Sequence, residues 1–368
     1  MADQEEAIHK YVDEKRELQK LVLQIIENSD YEDETDFQNL ITFLDTHQYK
    51  KNKPELYHFL HLLLNISINH HRQLNFFEKI EKILLISSDF YKPVFSKMEL
   101  FTIFQQSKPI LLSLLKTKIV TIDDEISFKY LIDFAEFKEN EVYYYFYPEI
   151  NTLIKSGAIE GVNEKKYNFN LNEDIEKFET NRQNYENESK LCSIIREDLI
   201  VEFIQYMNKT NISPSSQIKR SIFETNSMLI ENEPTLIEYA AFYGSIQIIK
   251  YLEINKAEIK PSLWLYAVHS NNPEIISFLE EKKIEMDDRT FSEAIKCHHN
   301  EIAHYIYDNL PLNSANVLLE KSLPIIYSSF NYEFFPYQMN GTQIFYSLCR
   351  NEYMELVNLY LRQNRIEI

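Results

Sequence analysis

The sequence predicts an all-α protein in which antiparallel helix pairs stack into a solenoid. The first observation is a period of 27 residues, which places Ala240, Ala267 and Ala294 at equivalent positions. The second is that apolar residues within each period follow the i, i+3, i+4 spacing of helices. Repeats of this length bury their apolar faces only against their neighbours. The period therefore predicts a continuous stack, and such stacks usually present a binding surface.

The amino-acid composition limits the kinds of molecule that the protein is expected to bind. The 368 residues are 44% hydrophobic and 14% aromatic, which supplies ample core material. The formal charge of −19 disfavours binding to nucleic acids and to anionic membranes, because both need clustered basic residues. The three cysteines, which lie far apart in the sequence, favour reduced thiols and a cytoplasmic location. No stretch approaches the roughly 18 apolar residues of a membrane-spanning helix.

The first part of the chain, residues 1–155, has helical spacing without clear repetition, and we expect it to form divergent helix pairs of the same kind. Within it, residues 7–26 form an amphipathic helix with Tyr11, Leu18 and Ile25 at heptad spacing. We expect this helix to dock on the body of the protein rather than to bind a partner. Residues 156–190 are polar and rich in asparagine, so a linker or long loop is predicted there.

Residues 191–368 are predicted to form the repeat array. Thr235 and Glu238 match a capping box at the start of the first clear helix pair, and Gly244 fits its inter-helix turn. Asn271 and His298 occupy the same turn in the next two units. Prolines at 324 and 336 are expected to break helices in a later, degenerate unit. The clear units are 235–261, 262–288 and 289–314, and the degenerate units are 191–212, 315–340 and 341–368.

Motifs for common chemistry are missing from the sequence. Only four glycines are present, so neither a P-loop nor a dinucleotide fingerprint can be written. His58 with His61, or Cys297 with His298 and His299, could suggest a metal site, but zinc usually needs about four ligands. We therefore expect no catalytic residues, no cofactor and no metal.

The clear units carry a resemblance to a known family. Residues 235–259, TLIEYAAFYGSIQIIKYLEINKAEI, resemble an ankyrin repeat, whose pattern is similar to TPLHxAAxxGHxEIVKxLLxxGADV. Residues 262–286 and 294–310 resemble it more loosely. The block 221–310 is similar to a large ankyrin family expanded in protists that carries a domain of unknown function, and this similarity extends upstream to residues 70–86. The resemblance implies an ankyrin-like solenoid that recognises proteins, and no known activity.

The units depart from the ankyrin pattern in length. Ankyrin units have about 33 residues, and here the loss falls after Ile259 and after Met286. The resemblance implies that the missing residues would have formed the projecting β-hairpin. We therefore expect an ankyrin-like solenoid with shortened hairpin loops, whose contacts with a partner lie on helix faces.

The resemblance also implies which residues face a partner. In ankyrin repeats the two positions after the paired alanines commonly lie on the concave side. An alternative for the aromatic pair is that Phe242 packs beneath another segment. The predicted protein-binding residues are Phe242, Tyr243, His269, Ser270, Lys296 and Cys297.

These observations predict a non-enzymatic protein-interaction module or scaffold that binds a protein partner. The alternative is an enzyme, or a regulatory subunit of one, with its site in the N-terminal helical region. That alternative would gain support from a structure that gathers several N-terminal histidines with acidic residues in one deep pocket. Assembly of copies through an uncapped end of the array is a third hypothesis, and the oligomeric state stays open. The histidines concerned are His47, His58, His61, His70 and His71.

Overall fold

The computed structural model describes residues 2–28, 34–72, 75–121, 144–156, 175–336 and 342–363. Over these ranges the chain forms 21 α-helices and two short 3-10 helices, Tyr49–Lys51 and Tyr332–Phe334. The same ranges contain one isolated β-bridge, between Gln217 and Thr235, and no strand. The predicted all-α class is confirmed.

We number the helices α1 to α21 in chain order. The first twelve are α1 (Ala2–Glu27), α2 (Thr35–Thr46), α3 (Lys53–Asn69), α4 (Phe76–Ile86), α5 (Ser88–Tyr91), α6 (Lys97–Phe104), α7 (Lys108–Lys116), α8 (Tyr147–Lys155), α9 (Ile175–Asn184), α10 (Lys190–Arg196), α11 (Ile200–Thr210) and α12 (Ser227–Glu231). The other nine are α13 (Leu236–Tyr243), α14 (Ile246–Ile254), α15 (Leu263–Ser270), α16 (Pro273–Glu281), α17 (Thr290–Lys296), α18 (Asn300–Asp308), α19 (Leu312–Ser329), α20 (Thr342–Arg350) and α21 (Met354–Gln363).

The chain forms two compact units that do not follow its linear order. The first unit takes residues 1–94, 241–244 and 259–368, and the second takes 95–240 and 245–258. Of the predicted linker, residues 157–174 lie outside the described residues, and the part after them includes helix α9. No described helix has the length and apolar content needed to cross a membrane.

In the first unit, α1 lies against α2, α3, α4 and α21. Its heptad residues Tyr11, Leu18 and Ile25 are all buried, as the amphipathic pattern predicts for a docked helix. A buried ion pair joins Lys15 of α1 to Glu55 of α3, and the ammonium also donates to the hydroxyl of Tyr49 at 2.7 Å. Both apolar and polar contacts therefore hold α1 in place.

The first unit also contains the pairs α15–α16 and α17–α18. Each pair turns at a residue with positive φ, 48° at Asn271 and 60° at His298, as the turn pattern predicts. Asn272 caps α16 by accepting from the backbone of Glu274 at 2.9 Å, with Pro273 at the first helical position. The first helices α15, α17 and α19 pack in succession. Ala267 and Ala294 are fully buried, which lets these helices lie close together.

The predicted helix break at Pro324 is wrong, because α19 runs from Leu312 through Pro324 to Ser329. Proline deprives the carbonyl four residues earlier, that of Glu320, of its helical donor. Glu320 is exposed, so water can solvate that carbonyl, while Ile326 and Tyr327 beyond the proline are buried. Burial of the distal turns therefore offsets the lost hydrogen bond. Residues 337–340, which end the predicted unit 315–340, lie outside the described residues.

The second unit places α10 against α11, and α11 against α14. The capping box predicted at the start of α13 is present: Thr235 N donates to Glu238 Oε2 at 2.8 Å, and Glu238 N donates to Thr235 Oγ1 at 3.4 Å. The Asp198 carboxylate accepts hydrogen bonds from the backbone amides of Gln247 and Ile248, near the start of α14, at 3.1 and 3.0 Å. These caps satisfy donors that the helix starts would otherwise leave unpaired.

Candidate functional site

Three of the six predicted protein-binding side chains are buried. Phe242 stacks on the His269 ring, with ring centroids 4.9 Å apart. Cys297 is fully buried and its thiol points to the carbonyl of Ala294 at 3.5 Å. The expectation that Phe242, His269 and Cys297 lie at the surface is therefore wrong, because the ends of the first helices pack against neighbouring turns. For Phe242 the alternative, packing beneath another segment, is what the structure shows.

The other three residues, Tyr243, Ser270 and Lys296, are half-buried. The Ser270 hydroxyl donates to the carbonyl of Ala267 at 2.8 Å, and the Lys296 ammonium lies 3.6 Å from Glu293. Their role in binding a partner stays a prediction.

His269 and Glu293 form a buried pair, with 2.8 Å between Nε2 and Oε1. Burial acts to raise the pKa of Glu293, but the hydrogen bond and charge of His269 outweigh it and lower that pKa. Glu293 is therefore ionised at neutral pH. The other ring nitrogen of His269, Nδ1, is buried without a hydrogen-bond partner.

Beside this pair, three histidines converge. His70 follows α3 directly, His71 is the next residue, and His299 lies just before α18. The ring centroids are 4.7 to 4.8 Å apart, and one ring nitrogen of each lies within 4.8 Å of the others. We call His70, His71 and His299 the histidine cluster.

Backbone carbonyls fix the tautomers of two members. His70 Nδ1 lies 2.7 Å from the carbonyl oxygen of Cys297, and His299 Nδ1 bonds to the carbonyl of Val268. A carbonyl oxygen only accepts, so both Nδ1 atoms carry the hydrogen and both Nε2 atoms present a lone pair. His71 Nδ1 lies 2.8 Å from His299 Nε2, and so His71 donates to it.

The cluster is electrically neutral at physiological pH. Burial lowers the pKa of His71 to about 4, and it lowers the pKa values of His70 and His299 far below their usual range. The proximity of the other imidazoles adds to the effect on His70 and His299. Neutral imidazole is the form that binds metals.

Carboxylates lie next to the cluster. Glu27 Oε1 is 3.6 Å from His70 Nε2. Burial raises the pKa of Glu27, the charge of Glu301 raises it further, and Lys79 opposes both. Two acidic side chains and one lysine therefore set the charge at this edge of the cluster.

Sequence reasoning missed the cluster because its members are distant in the chain: His71 and His299 are 228 residues apart. The trio considered from the sequence, Cys297, His298 and His299, is not brought together as ligands. His298 Nδ1 contacts the Gln19 amide at 3.3 Å, and its Nε2 contacts the carbonyl of Ser329 at 3.1 Å. Two adjacent His-His pairs, at 70–71 and 298–299, were the available signal.

The five histidines of the enzymatic alternative lie in three places. His47 stacks on Phe43, and both His58 and His61 contact Phe330. Among the five, only His70 and His71 enter the histidine cluster. The structure thus gathers two of the five with His299 and the carboxylate of Glu27, and the enzymatic alternative stays a hypothesis.

A separate groove of about 550 Å³ lies between α17, α18 and α19. Its apolar lining includes Phe291, Ile306 and Leu310, and the side chain of Val317 is 51% exposed. The other lining residues are Met286, Asp287, Asp288, Ser292, Asn313, Ser314, Leu318 and Lys321.

One family model matches the chain, described as a domain of unknown function (DUF3447), over residues 254–337. The matched segment contains helices α15 to α19, and with them His299, His269, Glu293 and the groove. Comparison with the curated proteins and with the solved structures found no match. The resemblance to a family carrying such a domain is thus supported over this segment.

Proposed function

We propose that the chain is a non-enzymatic protein-interaction module, and that the groove between α17, α18 and α19 binds an apolar segment of a protein partner. The module is an ankyrin-like solenoid in this proposal. Three features support that architecture: the positive-φ turn residues at one repeat position, the succession of first helices, and the buried alanines at equivalent positions.

The groove is the observation that carries the proposal. Two of the apolar side chains that line it are accessible, with Val317 51% and Met286 36% exposed, and Leu312, near it on α19, is 72% exposed. Clustered exposed apolar residues on a charged protein mark surfaces that a partner covers. Asp287, at one side, is paired with Arg289 at 2.8 Å, so its charge is already satisfied.

The groove also fits the shortened repeats. Met286, Asp287 and Asp288 line it, and these residues stand where the ankyrin pattern would continue into its projecting hairpin. Loss of the hairpin residues leaves helices and a short loop to form the surface. Contacts on helix faces are what the 27-residue period predicts.

The test is affinity purification of the full chain with mass spectrometry, comparing wild type with Val317→Asp. A buried carboxylate in the groove would cost several kcal/mol of binding free energy. We expect the variant to lose at least one partner that wild type retains. Val201→Asp is the matched control, since Val201 of α11 is 65% exposed and α11 does not line the groove.

Identical partner profiles for wild type and Val317→Asp would contradict the proposal that the groove binds a protein partner. A third variant, Tyr243→Ala with Lys296→Ala, probes the half-buried members of the surface predicted from sequence. Loss of partners in that variant alone would move the binding surface from the groove to the ends of the first helices.

A further inference from the structure

We propose that His70, His71 and His299 bind one divalent transition-metal ion of the zinc class. The site goes beyond the interaction function and uses other residues. Its first support is convergence, because three ring nitrogens lie within 4.8 Å of one another in the interior of the first unit.

The second support is the orientation of the ligands. Metal-binding histidines typically donate their other ring N–H to a carbonyl or carboxylate, which fixes the ring and its tautomer. His70 and His299 both do this, through Nδ1 to the carbonyls of Cys297 and Val268. Each Nε2 thereby keeps its lone pair: that of His70 has no partner, and that of His299 accepts from His71 Nδ1, a hydrogen bond that a bound ion would replace.

The third support is an unsatisfied atom. His70 Nε2 is buried and has no hydrogen-bond partner, although its lone pair is an acceptor. An unpaired buried polar atom costs roughly 1–3 kcal/mol, and so it calls for an explanation such as a bound ion. A metal on this nitrogen would supply one.

Only small movements separate this arrangement from a metal site. Zinc bonds to imidazole at about 2.0–2.1 Å, so tetrahedral ligand nitrogens stand roughly 3.3 Å apart. The present spacing runs from 2.8 Å, between His71 Nδ1 and His299 Nε2, up to the 4.8 Å limit. His71 ligates in its other tautomer, with the proton moved from Nδ1 to Nε2. No ligand needs to lose a net proton.

One carboxylate lies beside the histidines. Glu27 Oε1 is 3.6 Å from His70 Nε2, and its side chain is 43% exposed, which gives an ion a polar route from solvent. Glu301 adds negative charge near Glu27, whereas Lys79 and Arg72 add positive charge. Imidazole ligands suit zinc, copper, nickel and iron rather than calcium or magnesium, so the donor set and not the surrounding charge selects the ion.

The test uses the full chain stripped with a chelator and titrated with Zn²⁺ against a chromogenic competitor. We expect one ion per chain. His71→Ala and His299→Ala should each weaken the affinity by at least the roughly 10- to 100-fold that loss of an outer-shell partner costs. His304→Ala is the matched control, because His304 lies on α18, the helix that His299 directly precedes, but is 46% exposed.

Two outcomes would overturn the proposal: wild type that binds no stoichiometric Zn²⁺, or His71 and His299 variants with wild-type affinity. Circular dichroism checks that each variant is folded. If the buried His299 variant is unfolded, the half-buried His71 decides the matter, through loss of the visible absorption of tetrahedral Co²⁺ that wild type should show. Val317→Asp should bind Zn²⁺ like wild type, which separates this test from that of the groove.

Discussion

At the scale of the residue, backbone conformation decides where each helix pair turns. Gly244, Asn271 and His298 all have positive φ, and only one of them is a glycine. A left-handed residue with a β-carbon costs roughly 1–2 kcal/mol. His298 recovers part of that cost through hydrogen bonds to Gln19 and Ser329. The His298 side chain therefore has a structural role, whereas the next residue, His299, is a proposed metal ligand.

His58 should make the first unit sensitive to acid. It is buried, with Nδ1 3.2 Å from the Tyr11 hydroxyl and Nε2 3.1 Å from the carbonyl of Glu352. Burial lowers the pKa of His58 to about 3, and the positive charge of Lys15 contributes. His61 adds to this effect, and the aromatic ring of Tyr353 also lies against His58.

The sign of the effect follows from the lowered pKa. Below about pH 6.5 His58 takes up a proton in the unfolded chain, whereas buried His58 stays neutral in the folded chain. The free energy of unfolding therefore decreases as the pH is lowered. Between pH 7 and pH 5 this one residue should cost about 2 kcal/mol of unfolding free energy. Urea denaturation of wild type and His58→Gln at both values measures it, and the loss should be smaller in the variant. Some loss should remain, because burial also lowers the pKa of His61 to about 4.

An equal loss in the His58 variant would show that His58 is not the source of the sensitivity.

At the scale of the element, local pattern predicted helices well and their interruptions less well. The capping box at Thr235 is present where the sequence predicts it, and Asn271 and His298 have the positive φ predicted for the turns. Pro324 shows the limit, because whether a helix survives a proline depends on what the following turns bury. That burial is a tertiary property, which a single sequence does not display.

The ion pair between Lys15 and Glu55 should be strongly coupled. Their side chains are 1% and 7% exposed, and they join α1 to α3. Burial raises the pKa of Glu55 while Lys15 opposes that rise; for Lys15, burial is outweighed by Tyr49, Glu55 and Glu14, and its pKa is raised. Each member therefore compensates the cost of burying the other.

Replacing one member of the ion pair should leave the charge of the other buried and unpaired. Lys15→Met and Glu55→Leu should each lower the unfolding free energy by about 3–5 kcal/mol, whereas the double variant should lose much less. Chemical denaturation in a double-mutant cycle measures the coupling. The exposed pair Lys190–Glu202 is the comparison, where Lys190→Met should cost at most about 1 kcal/mol. Additive losses at Lys15 and Glu55 would contradict the coupling.

At the scale of the whole molecule, the sequence did not foretell which segments share a compact unit. Residues 1–94 join 259–368, although they are separated by most of the second unit in sequence. The histidine cluster depends on this pairing, since His70 and His71 come from one segment and His299 from the other. Periodicity finds elements that are neighbours along the chain, whereas long-range docking leaves no local period. For the groove, the sequence predicted only that contacts with a partner would lie on helix faces.

The net charge predicts how salt should affect the thermal stability of the protein. With 57 acidic and 38 basic residues the chain repels itself at neutral pH. Raising NaCl from about 0.01 M to about 0.15 M shortens the Debye length from roughly 30 Å to about 8 Å. The thermal midpoint at pH 7 should therefore rise, by about 2–4 °C for each kcal/mol of repulsion removed. Scanning calorimetry across this range measures the rise. Near pH 5.0, the sequence isoelectric point, the same salt should change the midpoint little. A midpoint that falls with salt at pH 7 would mean that attractive ion pairs outweigh the excess of negative charge.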